Sequence, residues 1–339
     1  MRFLEKFLLT ERNTLRLPSR ARFFAAPENA GELRALLNTV TARNLPLMVL
    51  GGGSNVVFAG DFPGLVLQPA MRGIECIGEM AEHYLVEAQA GEPWHGFVQY
   101  CLSRNWYGLE NLSLIPGTVG ASPIQNIGAY GVEITDRFHS LTALEIATGR
   151  TQVFSHEDCR FAYRESIFKH ELRDRYIIES VRFLLHKKPA VKTAYGDIQQ
   201  ELMAKGIDLP TPQQVAAAVI AIRTRKLPAP AMLANAGSFF KNPLVTLAVL
   251  EDLRARFPEI VAYPQEGEAK LAAGWLIEKA GWKGRAIGPV GAYDKHALVL
   301  VNHGGATGAD VLAVASAIQK AVLDLFGVQL EMEPRIYGA

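Results

Sequence analysis

At 339 residues, 49% hydrophobic and 20% charged, the chain is long for one hydrophobic core and predicts two or three structural units. Its 35 Lys+Arg against 34 Asp+Glu leave no basic excess, which argues against a general nucleic-acid binder. Cys76, Cys101 and Cys159 form no Cys-x-x-Cys pair, and His156-Glu157 lacks the second histidine of His-Glu-x-x-His, so neither a disulfide framework nor a metal centre is expected.

The N-terminal Met1–Arg12 has acidic residues inside its apolar run and no small-residue cleavage site. It reads as neither signal peptide nor membrane span, and the expected compartment is the cytoplasm. Leu33, Leu36, Leu37 and Val40 recur at helical spacing within 28–46, before Asn44-Leu45-Pro46 breaks the pattern. Leu47–Leu50 predicts a strand, Gly51-Gly52-Gly53-Ser54-Asn55 a turn, and Val56–Phe58 a second strand. From Leu65 to Leu185, short β-rich runs alternate with turns: Leu65–Leu67, Tyr84–Ala88, Leu141–Ile146, Gln152–Phe154 and Ile177–Leu184, with one helix at Pro93–Arg104. This is the pattern of an α+β unit with a mainly antiparallel sheet. Pro210–Arg225 predicts a helix with Thr211 as its cap, and Leu227–Pro230 a stiff linker. Helices are expected near Pro243–Phe257, Ala269–Ala280 and Ala309–Phe326, the last between Thr307 and Gly327, and a closing strand at Gln329–Ile336.

Ile115–Gly131 carries Gly117, Gly120, Gly128 and Gly131 among small and hydroxyl residues, with Tyr130 as its one weakly ionisable side chain. Plain surface loops usually carry charge; a bare glycine-rich run suits backbone amides gathered around an anion, a phosphate foremost. Gly51–Asn55 fits none of the standard phosphate loops. Val56 replaces the third glycine of a dinucleotide fingerprint, no Gly-Lys-Ser/Thr follows, and Ser54 lacks the flanking glycine of a nucleophile elbow. A glycine turn between two strands remains, with Ser54 and Asn55 able to donate to phosphate oxygens.

Ser238 follows Gly237 and is flanked by Asn235, Lys241 and Asn242; it can meet a ligand or simply cap a turn. In the closing strand, Leu330, Met332, Pro334 and Ile336 alternate with Glu331, Glu333 and Arg335, a row that can line a cleft or form a solvated edge. Arg164 can bind a carboxylate bidentately or pair with a neighbouring acid. Arg223, Arg225 and Lys226 suit a diphosphate or a helix C-terminus.

In order along the chain, Gly51–Asn55, Gly108–Asn111 with Ile115–Gly131, Tyr163–Ser166, Tyr195–Asp197, Lys226–Pro228, Gly237–Pro243, Lys270–Ile277 and Glu331–Arg335 resemble the UDP-N-acetylenolpyruvoylglucosamine reductases, flavin enzymes of bacterial cell-wall precursor synthesis, in their longer subtype. The resemblance implies an α+β fold: a two-subdomain FAD-binding fold of the vanillyl-alcohol-oxidase type, plus an α+β substrate-binding domain. The corresponding divisions are 1–70, 71–226, 227–326 and the returning strand 327–339. It implies non-covalent FAD reduced by NADPH, followed by hydride transfer to the enolpyruvyl ether to give UDP-N-acetylmuramate. The expected partners are the UDP-sugar and NADPH, with no nucleic acid or membrane, and the expected state is a monomer.

By family position, Ser238 is the proton donor, Glu333 stabilises the enol-like intermediate and Arg164 holds the carboxylate, with Tyr163 beside it. Tyr195, Lys226 and Asn242 take the diphosphate, and Tyr263, Lys283 and His296 lie where the longer subtype closes over the nucleotide. FAD falls to Gly51, Gly52, Gly53, Ser54, Asn55, Pro116, Gly117, Gly120, Ala121, Ser122, Gln125, Asn126, Gly128 and Arg223. Three positions depart from the family pattern: Asn13-Thr14-Leu15 replaces Asn/His-Thr-Phe, Met332 replaces a proline between the two glutamates, and His296 replaces an amide. The competing readings are a flavin oxidase or dehydrogenase of the same fold with another substrate, and a non-catalytic flavin or UDP-sugar binder.

Overall fold

The computed structural model describes residues 3–338; Met1 and Arg2 of the N-terminal segment and Ala339 of the closing segment lie outside the described residues. The chain divides into two compact units, one of residues up to 7, 21–52 and 63–225, the other of 8–20, 53–62 and 226 onward.

The first unit opens on a four-stranded sheet in the order Leu4–Leu8, Arg20–Ala25, Phe62–Leu67, Leu47–Val49. Leu47 pairs with Leu65 and Val49 with Leu67 in parallel. The helix Ala30–Arg43 lays Leu33, Leu36, Leu37 and Val40 onto Phe23, Ala25, Leu65 and Leu67. That is the 3.6-residue apolar stripe visible in the sequence. A second, antiparallel sheet runs Thr151–Ser155, Phe138–Glu145, Tyr176–His186, His83–Gln89, Ile74–Glu79. Its register aligns Leu141 with Val181 and Val181 with Ala88. One face buries Val86, Ala88, Leu141, Ala143, Val181 and Phe183 against Trp94, Phe97, Val98 and Cys101 of the helix Trp94–Ser103. The other face is polar: Arg182 Nε lies 2.7 Å from Glu87 Oε2. The helices Gly196–Met203 and Pro212–Lys226 pack through Ile198, Leu202, Val215, Val219 and Ile222. Thr211 and Gln214 cap the second reciprocally, Gln214 N–H to Thr211 Oγ1 (3.3 Å) and Thr211 N–H to Gln214 Oε1 (2.8 Å).

The second unit has a sheet in the order Ala234–Ser238, Val299–Asn302, Val290–Ala292, Ala286–Ile287 and a three-stranded sheet Leu244–Thr246, Glu268–Leu271, Ala262–Pro264. The helix Gly308–Phe326 buries Val311, Val314, Ile318 and Val322 against Val290 and Leu300. It starts at a Thr307/Asp310 capping box and stops at left-handed Gly327. Asn302 is 4% exposed and fully employed. It donates to Leu15 O (2.8 Å) and accepts from Gly304 N–H (2.8 Å) and Ala306 N–H (3.3 Å).

Three expected elements differ. The helices expected over 243–257 and 269–280 begin later, at Leu247–Arg256 and Ala273–Lys279, because Leu244–Thr246 and Glu268–Leu271 pair with each other as strands. Glu268–Leu271 also pairs with Ala262–Pro264, and this two-sided pairing overrides the helical preference of Glu-Ala-Lys-Leu. The closing strand shrinks to Arg335–Tyr337, parallel to Val56–Phe58, with one isolated bridge from Met332 to Phe240. Pro334 has no N–H to continue the ladder. On the apolar row, Leu330 is buried but Ile336 is 38% exposed. Among the described residues, no helix is long and apolar enough to cross a membrane.

Replacing Asn302 with Ala strands buried backbone amides of the 303–306 turn. Thermal or urea unfolding is expected to show a loss of about 1–3 kcal/mol; unchanged stability would contradict the role assigned to this amide.

Candidate functional site

The two glycine segments meet inside the first unit. A Cβ on Gly52 would stand 2.8 Å from Gly117 Cα, and one on Gly51 would stand 3.0 Å from Ala121 Cβ and 3.1 Å from Thr118 Oγ1. Contacts below about 3 Å are not met by real side chains, so the Gly52–Gly117 approach demands glycine, while a Cβ at Gly51 is merely tight. The longer loop is pinned along its back. Trp94 N–H donates to Gly117 O (3.0 Å), Val119 N–H to Glu92 O (2.9 Å) and Gly120 N–H to Ala90 O (2.9 Å). Gln68 Nε2 ties down Gly51 O at 2.7 Å.

Several polar residues of the motifs hold the protein itself in shape. Asn126 is fully buried; its Nδ2 donates to Glu133 Oε2 (2.7 Å) and Ala162 O (3.1 Å), and its Oδ1 accepts from Thr135 N–H (3.2 Å). Ser122 Oγ donates to Val119 O (2.8 Å). Asn111 Nδ2 donates to Tyr130 O (3.1 Å) and Lys192 O (2.9 Å), fixing the left-handed Tyr130. Glu110 accepts from Gly108 N–H (2.7 Å), and burial pushes its carboxyl up from the ordinary range.

Arg164 is itself left-handed, with φ 57°. Its Nη2 donates to Gly128 O (2.7 Å), its Nη1 lies 3.9 Å from Glu133 Oε1, and its guanidinium covers the Tyr163 ring at 5.2 Å. Arg223 rises from the helix Pro212–Lys226 to Tyr130, with which it shares a hydrogen bond. Its Nε is buried and has no hydrogen-bond partner among the described residues. Burial lowers its pKa first, Tyr130 opposes, and Arg164 adds to the lowering. A half-buried cation beside a second cation, with a buried, orphaned Nε donor, is suited to an anionic or carbonyl group of a ligand. Tyr195 precedes the helix Gly196–Met203, is 40% exposed, and meets Tyr130 edge-on at 5.4 Å.

Two members of this constellation escape a reading of the sequence. Tyr130 is visible only as the odd ring in a glycine loop. His95, on the helix Trp94–Ser103, accepts the N–H of left-handed Leu114 on Nδ1 (3.0 Å), at the entrance to the loop. Burial, and then Arg223, hold His95 below the usual imidazole pKa.

In the second unit, Ser238 ends the strand Ala234–Ser238 and is exposed. Phe239 O accepts from Glu333 N–H (2.9 Å), and Lys241 N–H donates to Glu331 O (2.9 Å), so the closing segment runs alongside the serine's own strand. Lys241 Nζ pairs with Glu331 Oε1 at 2.6 Å; the lysine side chain is only 12% exposed. Asn242 Oδ1 accepts from Ala273 N–H (2.9 Å) and so caps the helix Ala273–Lys279. Tyr263 lies on the edge strand Ala262–Pro264 opposite Lys270, Lys283 pairs with Glu278 (3.0 Å), and His296 lies beside Gly274. The Asn13 turn buttresses the glycine segment here: Thr14 N–H donates to Gly53 O (3.0 Å), while Asn13 Nδ2 donates to Leu9 O (2.9 Å) and Leu17 O (3.1 Å).

Residues 21–155 match the family described as FAD binding domain, and residues 229–337 that described as UDP-N-acetylenolpyruvoylglucosamine reductase, C-terminal domain. UDP-N-acetylenolpyruvoylglucosamine reductase of Pseudomonas fluorescens is 51% identical over 326 residues, covering 96% of both chains. That of Burkholderia orbicola is 53% identical over 329 residues, covering 96% of this chain and 94% of its own. Among solved structures, the fold is similar to the Thermus caldophilus UDP-N-acetylenolpyruvylglucosamine reductase, with TM-score 0.70, 24% identity and all of both chains covered. It is also similar to a solvent-stable cholesterol oxidase, with TM-score 0.52, 11% identity, and 98% and 86% of the chains covered.

A Gly52→Ala variant forces the two loops apart. Overpacking of about 1–3 kcal/mol, where it falls on the flavin-bound state, corresponds to roughly 5- to 150-fold weaker flavin retention. Absorbance of the purified variant measures it, and wild-type flavin content would contradict the close-packing argument. His95 gives a pH signature. Its folded pKa is depressed, so its contribution to stability is present above the unfolded value near 6.5 and is lost as pH falls through the lower folded value. Melting temperature is expected to fall between about pH 7 and about pH 5, and His95→Gln, a non-titrating acceptor, is expected to flatten that slope. An identical slope in the variant would contradict it.

Proposed function

Because the chain belongs to the UDP-N-acetylenolpyruvoylglucosamine reductase family of FAD-dependent oxidoreductases, we propose that it uses NADPH to reduce the enolpyruvyl ether of a UDP-amino-sugar, with Ser238 as proton donor. The reductase activity in UDP-N-acetylmuramate synthesis follows from the family; the electron source and the residue roles are our reading. The observation that carries the roles is the pairing of the Ser238 strand with the Glu333 segment through Glu333 N–H to Phe239 O at 2.9 Å.

The residues fit a flavin. Gly51 and Gly52 let their turn pack directly on the Gly117–Ala121 loop, and the orphaned Arg223 Nε offers a donor to a flavin carbonyl or ring nitrogen. Ser54, Asn55, Pro116, Gln125 and Gly128 complete the proposed cradle. Bound FAD supplies a two-electron hydride carrier between the nicotinamide and the enol ether.

The chain's own residues manage the charge that this creates. Hydride addition at the terminal carbon builds negative charge on the carbon beside the carboxylate. Arg164 holds that carboxylate as a fixed cation, with Tyr163 at its flank. Ser238 Oγ delivers the proton to the carbanionic carbon, and Glu333 stabilises the enol-like state and polarises the hydroxyl. A positioned acid contributes about 10²–10⁴-fold in rate. Tyr195, Lys226 and Asn242 grip the diphosphate, and Tyr263, Lys283 and His296 close over the nucleotide. The Asn242 amide oxygen is already committed to Ala273, so its contribution to the diphosphate comes from the Nδ2 donor. We further infer a monomer acting in the cytoplasm.

Stopped-flow separation of the half-reactions tests the assignment. Ser238→Ala is expected to leave flavin reduction by NADPH near wild type and to slow reoxidation by the enolpyruvyl UDP-sugar by about 10²-fold or more. Equal loss in both half-reactions would contradict the acid role.

A further inference from the structure

The register of the serine's strand is irregular. Asn235 faces Val301 and Ser238 faces Val299, so two residues, Ala236 and Gly237, stand opposite Leu300 alone. This is a bulge, the device by which a strand re-aims one side chain out of its alternation. Gly237 sits at φ +67°, and a Cβ there would meet nothing within 4 Å. The glycine is thus required by backbone conformation and not by crowding.

Asn235 holds the bulge closed. It is 3% exposed. Its Oδ1 accepts from Gly237 N–H (2.9 Å), while its Nδ2 donates to Leu233 O (2.8 Å) and Pro228 O (3.0 Å). Its own N–H donates to Thr14 O at 3.0 Å. Pro228 lies two residues beyond Lys226. One buried amide therefore joins the turn that presents Ser238 to the segment that follows the proposed diphosphate lysine.

We propose that Asn235 is a positioning residue for the reduction of the enol ether, locking the bulge that aims Ser238 Oγ and tying it to the Lys226–Pro228 segment. The inference rests on the Ser238 role proposed above. A capping serine needs no such lock. A serine that must deliver a proton to one carbon does, since a misplacement of about 1 Å costs about 10²-fold in rate. Both functions of the amide are needed: a carboxylate at 235 keeps the acceptor for Gly237 but repels the carbonyls of Leu233 and Pro228.

The test uses holoenzyme and three variants, Asn235→Ala, Asn235→Asp and Gly237→Ala, in the two half-reactions. Expected are wild-type-like flavin content, reduction by NADPH within about two-fold of wild type, and reoxidation by the enolpyruvyl UDP-sugar slowed about 10–100-fold at saturation. Reoxidation at wild-type rates, or equal loss in both half-reactions, overturns the inference. If Asn235→Ala fails to fold, Gly237→Ala decides: its methyl meets nothing within 4 Å, so its strain is confined to the positive φ of the bulge itself. Failure of wild-type reduced flavin to react with the sugar would instead reject the function proposed above.

Discussion

The close approach of Gly52 to Gly117, with 2.8 Å left for any Cβ, is the constraint on which the cofactor reading rests. It fixes both composition and position. Gly52 cannot carry a side chain into the contact, and the longer loop is held partly by its own Ser122 and Asn126. Further anchoring comes from behind, from Trp94, Glu92 and Ala90 on the longer loop and from Gln68 on the shorter. Most amides of the longer loop are spent on the protein itself, from Val119 and Gly120 to Ser122, Asn126 and Ile127, so the bare amide cradle expected from the sequence is only partly realised.

The same economy recurs in the second unit. The Ser238 strand carries a bulge where regular pairing would be more stable, and a buried asparagine is spent on holding it. Lys241 is sequestered against Glu331 one pair away from Glu333. Buried lysines are rare unless paired, so this ion pair and the neighbouring backbone bonds together set the register of the closing segment. Register shifts also occur in the five-stranded sheet; the one beside Ser238 is set apart by the buried asparagine that closes it.

Much of this was legible in the sequence. The stripe Leu33, Leu36, Leu37, Val40 and the box Thr307–Asp310 are local signals, and both appear as expected. The two glycine segments stood out in the sequence because they lack charge, and the structure packs them against each other. The strands Leu4–Leu8 and Ile74–Glu79 were not legible: the first carries Glu5 and Lys6, the second Glu75 and Gly78, and each exists only because a neighbour supplies its hydrogen bonds. The truncation of the closing strand depended on Pro334, whose effect is felt only once a partner strand is known. The site residues came from resemblance and not from periodicity. Arg223 shows why: its significance lies in a buried Nε without a partner, a property of three-dimensional surroundings that no spacing encodes. Asn126 shows the converse, a motif residue whose side chain is consumed by the fold.

The account holds that a flavin seated on these glycines passes its electrons to one acceptor, whose protonation depends on this chain's serine. Steady-state NADPH oxidation by the purified protein tests it most directly. The prediction is that NADPH is consumed when the enolpyruvyl UDP-sugar is present and is spared when it is absent; consumption indifferent to that sugar, or none in its presence, would contradict it.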